Sequence, residues 1–293
     1  MSCPSLHEVN NMNTIKVANI TIKLDIPDKF IPENMYKFQC GNSETEDVLI
    51  EVADSQAPVI EGIGKVHKVY SFGGKNYYMM SDDDYVTNIQ FNSDYSRFVV
   101  NINKSAIKEK LNKQSENELF EAFNSSLKRI FVMAVAGKGG VCLHSSTIKF
   151  NGAAICFSAS SGTGKTTHTN LWRDVFPDIE VINGDMGYLS ARGGEAYYFS
   201  APWCGTSGEC VSASAPVKAL VFLEQAKQNI IHKLSTDEAF MRLSTRCFMP
   251  SWHKYLYLKA IDTAELLAGL ADCYLLKCLP NKGAAQVCHH GIC

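Results

Sequence analysis

Alternation of apolar and polar positions dominates the first hundred residues. Ile15-Lys16-Val17 and Ile20-Thr21-Ile22-Lys23-Leu24 follow the two-residue period of a half-buried strand. Val69-Tyr70-Ser71-Phe72 and Tyr77-Tyr78-Met79-Met80 flank Gly73-Gly74-Lys75-Asn76, which reads as a hairpin. Ile89-Gln90-Phe91 and Phe98-Val99-Val100 continue the pattern, while residues 1–12 lack it and read as a leader. The period then changes. Leu119, Phe120, Phe123, Leu127, Ile130, Phe131 and Ala134 recur at helical spacing, with Ser115 and Glu118 as a capping pair and Gly137 as the stop. The helix should lay this stripe on a sheet. It marks the joint between a β-rich N-terminal module (13–136) and a second domain (137–285), with 286–293 as a tail.

In the second half, Ser146-Thr147-Ile148-Lys149-Phe150 and Ala153-Ala154-Ile155-Cys156-Phe157 are joined by Asn151-Gly152, a strong two-residue hairpin signal. The second of these strands runs into a glycine-rich loop. A strand is expected at Glu180 to Ile182, then a hairpin of Tyr188 to Ala191 with Ala196 to Ser200 around Arg192-Gly193-Gly194-Glu195, and a strand at Lys218 to Glu224. Ser235 and Glu238 cap a helix running to about Cys247, and Ala264 to about Cys278 reads as a last helix. The whole is a mixed α/β pattern.

Composition narrows the function classes. The chain has 293 residues, one large domain or two at about 100–200 residues each. With 46% hydrophobic and 20% charged residues it is ordinary globular material, which sets disordered, collagenous and coiled-coil readings aside. A balance of 28 basic against 30 acidic residues offers neither a nucleic-acid groove nor a polybasic membrane surface. The apolar stretch Ile130 to Ala136 is far shorter than the ~18–20 residues of a membrane span. The N-terminus lacks the basic and apolar regions of a signal peptide, so the chain is expected in the cytoplasm. Eleven cysteines, never spaced C-x-x-C, read as reduced and mostly structural thiols, with Cys204 as the candidate for reactivity. The run Cys288-His289-His290-Gly291-Ile292-Cys293 is the one Cys/His cluster, at an end expected to fray; Asp82-Asp83-Asp84 reads as a solvated turn.

The chemistry-bearing segment is Ala159-Ser160-Ser161-Gly162-Thr163-Gly164-Lys165-Thr166-Thr167. It meets the phosphate-loop pattern G-x-x-x-x-G-K-[ST] except that Ala159 stands for the first glycine. Backbone N–H groups from Gly162 to Thr167 would form an anion nest at the start of a helix. Gly162 and Gly164 permit the backbone this requires. Lys165 supplies a charge for the terminal phosphates, and Thr166 a hydroxyl for Mg²⁺. Twenty residues on, Glu180-Val181-Ile182-Asn183-Gly184-Asp185 ends a strand on a carboxylate, which so near the loop can sit beside the metal or the γ-phosphate.

Together, Leu143-His144-Ser145-Ser146, the tight hairpin, Ser161-Gly162-Thr163-Gly164-Lys165-Thr166-Thr167 and the early acidic motif resemble the phosphate-loop kinase domain shared by HPr kinase/phosphorylase and ATP-dependent phosphoenolpyruvate carboxykinase. The similarity covers roughly residues 140–285. It implies an ATP- and Mg²⁺-dependent kinase. In that family the acidic motif is commonly a pair of aspartates, one a base toward the acceptor hydroxyl and one near metal; only Asp185 remains here. His144 matches a family histidine near the active site. Glu209, in Pro202-Trp203-Cys204-Gly205-Thr206-Ser207-Gly208-Glu209, falls where a second metal ligand is found, and Arg246 where a phosphate contact is found. The resemblance also implies assembly into homo-oligomers.

Three readings follow. The first is a kinase phosphorylating a hydroxyl, a serine of a small protein or peptide or a free small molecule. The second is a carboxykinase-like phosphotransferase, for which no full oxaloacetate and manganese site is found in the sequence. The third is a nucleotide-binding regulatory protein with little catalysis, kept open by Ala159 and the single aspartate.

Overall fold

The first hairpin is set by two residues in left-handed backbone. Ala18 and Asn19 (φ 53° and 59°) turn β1 (Asn13–Val17) back into β2 (Ile20–Asp25). The computed structural model describes residues 13–41, 45–53, 68–72, 74–79, 87–102 and 115–293. The leader, the Asp82-Asp83-Asp84 turn and the chain before the Ser115 cap lie outside them. The structure is mixed α/β and divides into two units, residues up to 137 with 250–257, and residues 138–249 with 258–293.

In the first unit, β3 (Val48–Ala53), β4 (Lys68–Phe72), β5 (Lys75–Met79), β6 (Thr87–Phe91) and β7 (Arg97–Ile102) join the hairpin in a sheet of order β1-β2-β3-β7-β6-β5-β4. The β2–β3 and β3–β7 pairs are parallel; the others are antiparallel. Helix α1 (Ser115–Gly137) lies on β6 and β7 and buries Phe123, Leu127, Ile130 and Phe131, the stripe its spacing predicts. Phe123 stacks on Phe30 at 4.6 Å, and Arg129 Nε donates to the Tyr78 hydroxyl at 3.2 Å.

The second unit is built on a strand that changes partners. The first half of β8 (Gly140–Phe150) pairs with β11 (Met186–Arg192) and the two-residue β15 (Cys247–Phe248). Its second half pairs with β9 (Ala153–Ser158) and β10 (Glu180–Asn183). The β8–β9 turn is Asn151-Gly152, both left-handed (φ 49° and 81°), as the hairpin signal requires. Beyond β9 the sheet is parallel: β9 pairs with β13 (Ser214–Gln225), and β13 with β16 (Cys273–Cys278). Strand β14 (Ile230–Lys233) adds to β16 antiparallel, and β12 (Glu195–Ser200) links β11 to the start of β13.

Alternation along β13 fills two cores. Leu220 and Phe222 meet Leu243 of α3 (Thr236–Arg246) and Ala264 and Leu267 of α4 (Lys254–Leu270). Ala219, Val221 and Leu223 face the side of Trp172 from α2 (Lys165–Val175) and of Cys288 and Ile292 from α5 (Lys282–Ile292). The Ser235–Glu238 capping box is formed.

Two expectations are corrected. Ala264 to Cys278 is not one helix: α4 stops at Leu270, and Cys273 to Cys278 form a strand parallel to β13 whose first four residues are buried. A fully buried strand has no polar face, so its periodicity does not distinguish it from a buried helix. The end does not fray either. Residues 282–292 form α5, capped by the Asn281 side chain, with Cys288 fully buried and His289 packed on Phe176 at 4.6 Å. Among the described residues, no helix is long and apolar enough to cross a membrane, and no three His, Cys, Asp or Glu side chains are grouped to hold a metal.

Candidate functional site

Strand β9 delivers the glycine-rich loop to the carboxyl edge of the parallel strands, where open α/β sheets bind ligands. Gly162 and Gly164 take φ of +77° and +110°, backbone that side chains rarely adopt. Gly164 is the N-cap of α2 and brings no side-chain cap. The N–H groups of Lys165, Thr166 and Thr167 therefore open the helix at its positive end. Ser161, Gly162, Thr166 and Thr167 are exposed, and Thr163 and Gly164 are half-buried.

Lys165 is buried at the start of α2, and its Nζ lies 2.7 Å from His144 Nε2 and 3.5 Å from the Ala159 carbonyl. Burial pushes its ammonium below the ordinary lysine value; the Asp185 carboxylate opposes that shift, and the Arg246 guanidinium adds to it. His144 stands on β8, hairpinned to β9 and held there by Ser158 Oγ donating to its carbonyl at 2.8 Å. Its Nδ1 is 3.2 Å from Asp185 Oδ1. The ammonium can only donate, so Nε2 accepts from it and Nδ1 carries the proton on the side of the carboxylate. Asp185, His144 and Lys165, separate in sequence, form one line of polar contacts.

Asp185 is aimed by a residue the sequence reading took only as part of a turn. Asn183 is fully buried, and its Oδ1 accepts from the N–H groups of Asp185 and Met186, both at 2.8 Å. Its Nδ2 donates to the Ala201 carbonyl at 2.7 Å and to Ser200 Oγ at 3.3 Å. With both ends of its amide engaged, Asn183 serves structure. The Asn-Gly pair was its signal, but only of a turn.

The 201–213 loop closes against Asp185. A Cβ on Gly184 would collide with Ser207 Oγ, and one on Gly205 would lie 2.8 Å from Asp185 Cβ. Glu209 accepts at its carbonyl from Gly184 N (2.9 Å), while its carboxylate binds Arg173 at 2.6 Å, so its charge is spent on α2. Cys204 is buried, and its carbonyl accepts from Ser207 Oγ at 2.8 Å. Arg246, at the end of α3, lines a depression with Ser160, Ser161 and Gly162 of the glycine-rich loop.

One turn along α2, His168 is buried against Phe157, whose ring centroid is 4.7 Å away. Trp172 Nε1 donates to its Nε2 at 3.1 Å, so the proton sits on Nδ1, which has no hydrogen-bond partner among the described residues. Burial pushes its pKa down to about 4 and keeps the ring neutral. The sequence reading passed over it.

No curated protein matches the chain. Among solved structures, similarity extends to the Hpr(Ser) kinase/phosphatase from Coxiella burnetii, at 9% identity over 32% of this chain and 76% of that one, with a TM-score of 0.25, too slight to bear on the fold. Residues 107–272, more than half of the chain, match the model of the family described as SynChlorMet cassette protein ScmC, and the chain belongs to that family.

Proposed function

We propose that this chain is a phosphotransferase that binds ATP on the 159–167 loop and moves the γ-phosphate to a hydroxyl, a serine of a small protein or peptide. The observation that carries this reading is the line Asp185–His144–Lys165, which sets a carboxylate one residue away from the lysine of a glycine-rich, helix-opening loop.

Phosphoryl transfer asks for charge neutralisation and positioning. The uncapped N–H groups of α2 and Lys165 suit the phosphates, and Arg246 adds a second cation at the loop. Asp185 suits the acceptor. As the hydroxyl oxygen bonds to the γ-phosphorus and the bond to the ADP oxygen breaks, the hydroxyl proton passes to an Asp185 carboxylate oxygen. His144 orients that carboxylate through Nδ1–H and couples it to Lys165.

The residues fit Mg²⁺. Thr166 is exposed on the first turn of α2 and Asp185 is partly exposed, so an oxygen from each would join substrate phosphates around the ion, the usual way Mg²⁺ is held. When bound, the ion would neutralise charge on the β- and γ-phosphates.

The test compares ATP affinity by calorimetry and ATP turnover with seryl peptides across variants. Lys165→Ala should weaken ATP at least tenfold in a folded protein. Asp185→Asn should keep ATP affinity within about threefold yet lose ~10²–10⁴-fold in turnover, as for loss of a general base. Unchanged affinity in Lys165→Ala removes the loop from the reading, and unchanged turnover in Asp185→Asn removes the base.

A second reading, a nucleotide-binding regulator with little catalysis, is favoured by one observation. Asn183 falls within the stretch where the resembled kinases carry paired aspartates, and its amide is wholly engaged. ATP binding without acceptor-dependent consumption would establish it.

A further inference from the structure

Two depressions of opposite character meet at the glycine-rich loop. They share Gly162, Thr163 and the end of β13, Leu223 to Gln225. One is a cleft of ≈380 Å³ that continues past His168 and Leu171 of α2 to Ala226, Leu279 and Pro280, beyond the ends of β13 and β16. The other continues past Ser160 and Ser161 to Arg246. Between them Gln225 donates Nε2–H to the Thr163 carbonyl at 3.2 Å, which ties the end of β13 to the loop.

Their charges differ. Among the described residues no Lys or Arg lines the cleft, and its one carboxylate, Glu224, which borders the second depression as well, is bound by Arg242 at 2.9 Å. Its histidine is held neutral by burial and by the Trp172 indole. Leu171, Ala226, Cys278, Leu279 and Pro280 make up its outer wall. The second depression carries the Arg246 guanidinium and lies toward Lys165, whose ammonium feels that charge. A ligand that satisfies both has a neutral, flat, largely apolar head and a polyanionic tail. The cleft volume falls within the ~300–1,000 Å³ of small-molecule sites.

We propose that the cleft between α2 and the ends of β13 and β16 takes the nucleoside of a nucleoside triphosphate, which fixes the direction of the chain of phosphates along the loop, with the terminal phosphate toward Arg246. This rests on the phosphotransferase reading and assigns a role that reading leaves open. The acceptor hydroxyl then approaches from the Asp185 side, and the cleft is closed to it.

Calorimetry with two probes, Mg²⁺-ATP and Mg²⁺-tripolyphosphate, tests the assignment on the full chain and on two cleft-filling variants, Ala226→Trp and Leu279→Trp. Tripolyphosphate has the tail without the head and should bind the wild type and both variants alike, which also checks that the variants fold. ATP should bind the wild type at least tenfold more tightly than tripolyphosphate, and each tryptophan should remove that difference. ATP binding no tighter than tripolyphosphate in the wild type overturns the nucleoside assignment and leaves the phosphate loop standing. So does ATP affinity unchanged in both variants, which would leave the cleft to the acceptor. Loss of both probes in both variants also overturns it, since the cleft would not be separable from the loop. Tripolyphosphate failing to bind the wild type overturns the loop reading, and this assignment with it.

Discussion

His168 shows how one buried ring ties stability to pH. In the unfolded chain it takes a proton near 6.5; in the folded protein, walled in by Phe157 and Trp172, only near about 4. Between those values the unfolded state binds the extra proton, so the contribution is fully present above about pH 6.5 and is lost as pH falls toward 4. Denaturant unfolding at pH 7 and pH 4.5 should show the wild type losing about 2–3 kcal/mol more than His168→Gln, whatever the variant costs at neutral pH. An equal loss in both would place the acid sensitivity elsewhere. At this scale the loop was legible, because its residues are contiguous and their spacing is itself the signal. His168 and Asn183 were not. One is defined by an indole four residues away, the other by the carbonyl of Ala201 and the hydroxyl of Ser200 across a neighbouring strand.

Among elements, the 201–213 loop is held against Asp185 by glycines that cannot be exchanged. Gly205 has φ +59°, and a Cβ there would press on Asp185 Cβ. Gly205→Ala should therefore destabilise the protein by about 1–3 kcal/mol, left-handed strain plus the displaced carboxylate. ATP affinity should change little, since the glycine-rich loop stands apart from this contact. Thermal melting with ATP titration checks both; a variant as stable as the wild type would show that the 201–213 loop yields freely. Elements with one wet face were readable: the Asn151-Gly152 hairpin, the Tyr188–Ser200 hairpin, the stripe of α1 and the capping box of α3 stand as the patterns indicate. Elements buried on every side were not. Cys273-Tyr274-Leu275-Leu276 reads equally as helix or strand, and its place beside β13 is set across the 47 residues between the two strands. The parallel pairs β2–β3 and β3–β7 left no local mark for the same reason.

At the scale of the whole molecule, the last helix underpins the first one of its unit. α5 packs on α2, which carries Lys165, and buries Ala284, Ala285, Cys288 and Ile292. Removing residues 282–293 exposes that face. At ~1.5–3 kcal/mol per large apolar side chain, the loss is on the order of 5 kcal/mol, comparable with the stability of many domains. The truncated chain should lack a cooperative melt and near-ultraviolet circular dichroism; a sharp melt near the wild-type temperature would refute this. The parallel run β9, β13, β16 has another consequence, in time rather than space. His144, Lys165 and Asp185 lie within one short span and can meet early during synthesis. The strands flanking β9 and β13 cannot, for β16 begins 120 residues after β9. Until it is made, one edge of β13 (Leu220 to Leu223) has no neighbour, and an unpaired apolar edge on a half-made sheet is where newly synthesised chains associate wrongly. Yield from the ribosome should therefore depend on how fast residues 226–278 follow, so a slow stretch of translation there is a hazard to the protein before it has any activity to lose.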